Sequence, residues 1–131
     1  MGYRFGKTSL SRLVGVDNKL VEVAKTAINI SKQDFTIVEG LRTPERQLEL
    51  YEKGMSELDG YKNISSHQLG EAIDIAPYKD GKLLWSLTNS REWLEIGRAM
   101  LRAARLHDVD IEWGIGYNIG TGYDAPHFQL K

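Results

Sequence analysis

The chain has 131 residues, 41% of them hydrophobic, which is enough for one domain with its own core and too little for a second. A net charge of -1 at pH 7 excludes the broad basic field of a nucleic-acid binder, so no nucleic-acid partner is expected. The lack of cysteine excludes disulfides and the thiolate-rich sites that usually hold structural zinc, so a metal bound here would be catalytic.

In chain order, Met1–Lys7 leads into polar residues and not into the apolar core of a signal peptide, and no apolar run is long enough to insert in a membrane. Leu20, Val23, Ala24, Ala27 and Ile28 recur at helical spacing, predicting a helix over 18–30 with Asp17 as its cap. Phe35–Leu41 reads as a strand. Thr43-Pro44-Glu45 then sets a capping threonine before a first-turn proline, opening a second helix that Gly54 ends. Arg42 therefore lies at a strand-to-helix junction, where a cleft residue can be held firmly. Met55–Ile64 reads as a mobile loop leading to His67.

From Ala72 to Ala76 the residues alternate, so Ile73 and Ile75 point to one face of a strand and Asp74 to the other. Asp80-Gly81 predicts a hairpin turn into Lys82–Trp85. Asn89–Arg91 opens a third helix with an inward stripe of Trp93, Gly97, Met100, Leu101 and Ala104. His107 suits that helix's C-terminus and is left out of the site. Ile111–Trp113 and His127–Leu130 complete the sheet, with Phe128 and Leu130 toward the core and His127 and Gln129 away from it. The sum is an α+β domain over residues 1–131, a small antiparallel sheet flanked by about three helices, without internal repeat or linker.

His67 and Asp74 stand on either side of Gly70, as needed if the chain turns between two ligands and enters a strand carrying the second. With His127 they make two imidazoles and a carboxylate, a set that leaves one position open on Zn²⁺. A hydrolase also needs a base for the water proton, and Asp124, three residues before His127, is the nearest candidate. The plainer readings are that Asp124 caps the turn at Gly120–Tyr123 and that Arg42 is a solvated charge beside a helix.

These residues carry a resemblance. Ser65-Ser66-His67-Gln68-Leu69-Gly70-Glu71-Ala72-Ile73-Asp74 fits S-x-H-x-x-G-x-A-x-D, and Asp124-Ala125-Pro126-His127 fits [DE]-x-x-H. Both resemble the VanY/VanX-type zinc peptidases of bacterial cell walls, with the hedgehog/DD-peptidase fold, and within that group the single-domain phage endolysins that are L-alanyl-D-glutamate peptidases. The similarity extends to Phe35–Thr43 and Ala72–Tyr78.

The resemblance implies that His67, Asp74 and His127 hold zinc, that Asp124 is the general base, and that Arg42 binds substrate and steadies the oxyanion. Ser65 matches a serine that contacts substrate or supports a metal ligand, and Gln47 falls where relatives often carry a polar group near the cleft. It also implies a monomer that cuts the peptidoglycan stem peptide, without a separate wall-binding domain, made in the host cytoplasm and reaching the wall through a holin lesion. Some relatives bind a regulatory calcium through acidic residues before the base. Gly114–Tyr123 has no carboxylate, so calcium control is not expected. The alternatives are a D-Ala-D-Ala carboxypeptidase or dipeptidase with the same zinc site, and a catalytically silent wall-binding module.

Overall fold

The structure is a computed structural model and describes residues 2–83, 91–114 and 127–131. Helix α1 spans Lys7–Arg12, α2 Asn18–Ile30, α3 Pro44–Glu52 and α4 Arg91–Leu106; strands β1 to β5 span Phe35–Glu39, Ala72–Lys79, Lys82–Leu83, Ile111–Trp113 and His127–Leu130. All strand pairs are antiparallel, in the order β1-β2-β5-β4, with β3 pairing β2 as a hairpin arm.

The α2 helix starts where the Asp17 carboxylate accepts from the Lys19 amide at 2.9 Å, and all five of its predicted core residues are buried. Burying side chains the size of Leu20, Val23 or Ile28 is worth about 1.5–3 kcal/mol each. They meet Ile96, Met100 and Ala103 of α4 over a floor of Phe35, Ile37, Ile73, Ile75 and Phe128 from the sheet. The main core therefore lies on one side of the sheet, and a small second cluster of Ala76 and Trp93, with Val38 against it, stands apart from it. Asp74, His127, Gln129 and Glu112 alternate to the side of the sheet away from the main core.

Several sequence expectations need amendment. Among the described residues there are four helices where about three were expected; the additional one, α1, was not foreseen because its six residues offer only Ser9 to the interior. It works as a cover for the outer edge of β1, whose Ile37 amide donates to Ser9 Oγ at 3.1 Å and whose Ile37 carbonyl accepts from Arg12 at 2.9 Å. Strand β1 stops at Glu39, short of Leu41, after a bulge between Ile37 and Glu39. The Asp80-Gly81 turn forms with both residues at positive φ. Only Lys82–Leu83 of its second arm falls within the described residues, as does the third predicted helix from Arg91 onward.

Gly97 does more than extend an apolar stripe, since the Trp113 ring lies where a Cβ would stand, 2.2 Å from it. Trp113 in turn stacks on Phe128. The 55–64 connection, expected to be mobile, is tied down at several points. Asp59 accepts from the amides of Tyr61, Lys62 and Asn63, and the Gln47 and Gln68 amides donate to the Leu58 and Gly60 carbonyls.

Candidate metal centre

Three elements supply the site. Asp74 stands in β2 directly opposite His127 in β5, so both leave the sheet on the face away from the main core. His67 comes from the turn at 66–70, closed by bonds from the Gly70 amide to the His67 carbonyl at 3.2 Å and from the Glu71 amide to the Ser66 carbonyl at 2.9 Å. Gly70 has φ +71, and its carbonyl accepts from the Asp17 amide at 2.7 Å; a Cβ there would lie 2.5 Å from the Gly15 carbonyl oxygen. The turn carrying His67 is thus pressed against the start of α2, and the Arg42 amide holds the His67 carbonyl at 3.1 Å.

The three side chains converge. One ligand atom from each of His67, Asp74 and His127 lies within 4.8 Å of the other two. His67 Nε2 and His127 Nδ1 are each 3.2 Å from Asp74 Oδ1, and the two rings meet edge to face at 5.1 Å. His67 Nδ1 donates to the Gly40 carbonyl at 2.8 Å, which turns Nε2 inward. His127 Nε2 donates to Gln129 Oε1 at 2.7 Å, which turns Nδ1 inward. Two imidazole nitrogens and one carboxylate oxygen, with each imidazole steadied through its outer nitrogen, can hold a divalent transition-metal ion.

The charge balance suits a cation. Burial by itself raises the Asp74 pKa, but hydrogen bonds from His127 and His67, together with the positive charge those rings carry when protonated, outweigh it and hold the carboxyl below the usual carboxylate range. Asp74 therefore stays anionic at any pH where the protein works. Both imidazoles are nearly inaccessible to solvent.

Arg42 lies beside this group with its guanidinium fixed on three sides. Its Nε and Nη2 donate to the two carboxylate oxygens of Glu39 at 3.2 and 2.7 Å, and Nη1 donates to Gln47 Oε1 at 2.8 Å. Nη2 is also 3.7 Å from Asp74 Oδ2. An arginine has five N–H donors, and these hydrogen bonds commit three of them.

The remaining sequence candidates fall differently. Gln47 is fully buried, with its carbonyl on Arg42 and its amide on Ser56 and Leu58, so it braces the Arg42 guanidinium. Ser65 is buried too, and its hydroxyl accepts from the Gln68 amide at 3.3 Å, bracing the turn that carries His67. Asp124 lies outside the described residues, as do Gly120–Tyr123 and most of the stretch read for calcium. His107 sits away from the site, bonded to Thr26 past the end of α4.

Glu39 and Gln129 are the site residues that sequence reasoning passed over. Each had a visible signal: a carboxylate ending a mostly apolar strand, and a glutamine two residues from His127 on the same strand face.

Comparison with known proteins fits this arrangement. The protein family described as phage L-alanyl-D-glutamate peptidase matches residues 1–130. The L-alanyl-D-glutamate peptidase of Escherichia phage T5 is 32% identical over 131 residues, covering all of this chain and 91% of that protein. The crystal structure of the Serratia marcescens L-Ala D-Glu endopeptidase ChiX superposes with a TM-score of 0.84 at 34% identity, over 99% of this chain and 91% of the other. With a family match over nearly every residue, sequence similarity to two such enzymes and a fold shared with one of them, this chain belongs to the phage L-alanyl-D-glutamate peptidase family.

Proposed function

We propose that the protein is a zinc-dependent endolysin that hydrolyses the L-alanyl-D-glutamate bond of the peptidoglycan stem peptide. The observation that carries this reading is the convergence of His67, Asp74 and His127, beside Arg42, in a member of that family. Zinc held by these residues supplies Lewis acidity, polarising a carbonyl and easing the deprotonation of water.

The chain's own residues do the rest. Asp124 takes a proton from the attacking water as its oxygen bonds to the alanyl carbonyl carbon, then passes it to the D-glutamate nitrogen as the C–N bond breaks. Arg42 directs its remaining donors at the oxygen that gathers negative charge, with Glu39 and Gln47 holding the guanidinium in place. Ser65 keeps the His67 turn in shape.

In this reading the enzyme acts as a monomer, accumulates in the host cytoplasm and reaches the wall through a holin lesion. Among the described residues no helix is long and apolar enough to cross a membrane.

The test couples metal analysis of the purified protein to mass spectrometry of digested muropeptides. Stem peptides beginning at D-glutamate, released only by zinc-loaded protein, are the expected products. Release of terminal D-alanine would make the protein a carboxypeptidase, and binding of peptidoglycan without any cleavage would make it a silent wall-binding module.

A further inference from the structure

Gln129 lies on the face of β5 away from the main core and is shared by three neighbours. Its Oε1 accepts from His127 Nε2 at 2.7 Å and from the Ser66 hydroxyl at 3.2 Å, while its Nε2 donates to Glu112 Oε2, across the β4–β5 pair, at 3.4 Å. A glutamine amide offers an acceptor at one end and donors at the other, so what sits at one end dictates what the other can do. A carboxylate can only accept. Turned over, the amide would set its carbonyl against the Glu112 carboxylate and its NH₂ against the Ser66 and His127 donors.

We infer that Glu112 and Gln129 form a relay that keeps a proton on His127 Nε2, so that Nδ1, the nitrogen aimed at Asp74, is the one offered to a metal. Glu112 fixes the sense of the amide, the amide presents its carbonyl to Nε2, and a ring nitrogen facing a carbonyl keeps its proton. Ser66, one residue before the ligand His67, adds a second donor to the same oxygen and so ties the β5 ligand to the turn ligand. Gln129 and Glu112 are positioning residues, since Gln129 bonds the outer nitrogen of His127 and Glu112 is not one of the three converging ligands. Outer partners of ligating histidines typically govern metal affinity by roughly 10- to 100-fold.

This inference rests on the metal-peptidase reading, and its test separates the two. Nitrogen-15 NMR of the imidazoles in the full chain, with and without Zn²⁺, reports which nitrogen of His127 carries hydrogen whether or not the protein has any activity. The expected result is a protonated Nε2 in both states, with a slowly exchanging Nε2–H in the zinc-loaded chain. Glu112→Gln keeps the shape of the side chain but lets the amide turn over; Gln129→Leu removes the acceptor. Chelator competition should show weaker Zn²⁺ binding in both variants, by roughly 10- to 100-fold for Gln129→Leu and less for Glu112→Gln.

An unprotonated Nε2 in the metal-free wild-type chain overturns the relay even if zinc binds and stem peptides are cut. So does wild-type Zn²⁺ affinity in a folded Gln129→Leu chain, and if that variant fails to fold, unchanged affinity in Glu112→Gln does the same. A chain with the expected His127 signature that takes up no Zn²⁺ instead refutes the proposed function and leaves the proton assignment standing.

Discussion

Glu39 stands directly opposite Asp74 across the β1–β2 pair, so that two carboxylates share one face of the sheet. Like charges in that position repel. The bulge in β1 is what creates the pairing: Ile37 lies opposite Ile75, and without the extra residue Val38 would lie opposite Asp74. The Arg42 guanidinium resolves the conflict, with Nη2 at 2.7 Å from Glu39 and 3.7 Å from Asp74. The fold therefore sets the Asp74 carboxylate and a fixed guanidinium side by side in one step.

Arg42→Ala should remove both services. Losing a donor aimed at developing negative charge typically costs about 3–4 kcal/mol of transition-state stabilisation, a fall of roughly 10²- to 10³-fold in kcat. Zinc should still bind, because none of its three ligands is removed. The variant's melting temperature should drop further in metal-free than in zinc-loaded protein, since a bound cation takes over the neutralisation of Asp74. Arg42→Lys should restore little, because an ammonium cannot reproduce the three-sided contact of the guanidinium. Turnover near wild type in Arg42→Ala would remove the residue from the mechanism.

Gly70→Ala tests whether the turn, and not only the ligand, is needed. The substitution puts a methyl 2.5 Å from the Gly15 carbonyl and forces a non-glycine residue into a left-handed backbone. Overpacking costs about 1–3 kcal/mol and the backbone about 1 more. The chain relieves this by lifting the turn off α2, which moves His67. Calorimetry should show lower stability, and zinc titration weaker binding; a variant with wild-type zinc affinity would show that the turn position is not coupled to the site.

Much of this was legible in the residues, and the misses have physical causes. Alternation at Ala72–Ala76 and His127–Leu130 was enough to send Asp74 and His127 to one face, because a strand's period is two whatever its partner. The bulge leaves no local trace: it is a mismatch of count between β1 and β2 and exists only once they are paired. The Glu112–Gln129 contact joins residues 17 apart and likewise depends on register. Gln47 carries a signal of its packing in the residues. It shares a helix face with buried Leu50, and a polar residue on an inward face is more often tied to a buried partner than offered to a ligand.

Asp124→Asn keeps the size of the side chain and removes its basicity. With the three metal ligands untouched, the variant should fold and load with zinc while losing about 10²- to 10⁴-fold in kcat, the usual worth of a positioned base. Metal content and turnover measured on the same sample decide the matter. If the rate stays within a few-fold of wild type, another group takes the proton.

The 55–64 connection should loosen in acid. Three amides, those of Tyr61, Lys62 and Asn63, donate to Asp59 Oδ1, and bonds from Asn63 and Tyr61, which outweigh a small desolvation effect, hold the Asp59 pKa below its ordinary value. A depressed carboxyl stabilises the folded loop fully above the ordinary aspartate pKa of about 4, and that stabilisation fades as pH falls through the lowered value. Hydrogen exchange at those three amides should therefore show protection that declines below about pH 4. Asp59→Asn should flatten this dependence, and an unchanged profile in that variant would place the acid sensitivity elsewhere.

Zinc removal should abolish activity without unfolding the chain. The apolar core, from Leu20 and Val23 to Ile73, Ile75 and Phe128, lies on the far side of the sheet from His67, Asp74 and His127. Small zinc domains that unfold on chelation have no such core and draw their folding energy from the metal. Here the ion adds only what binding contributes by mass action, about 2.7 kcal/mol at a free concentration 100 times Kd. The metal-free site keeps internal partners for its charge, because both imidazoles hydrogen-bond the Asp74 carboxylate. Chelated protein should retain its near-ultraviolet circular dichroism from Trp93, Trp113 and Phe128, melt a few degrees lower, and regain full turnover on adding Zn²⁺. Loss of the near-ultraviolet signal on chelation would show that the sheet depends on the metal and that the core alone does not hold it.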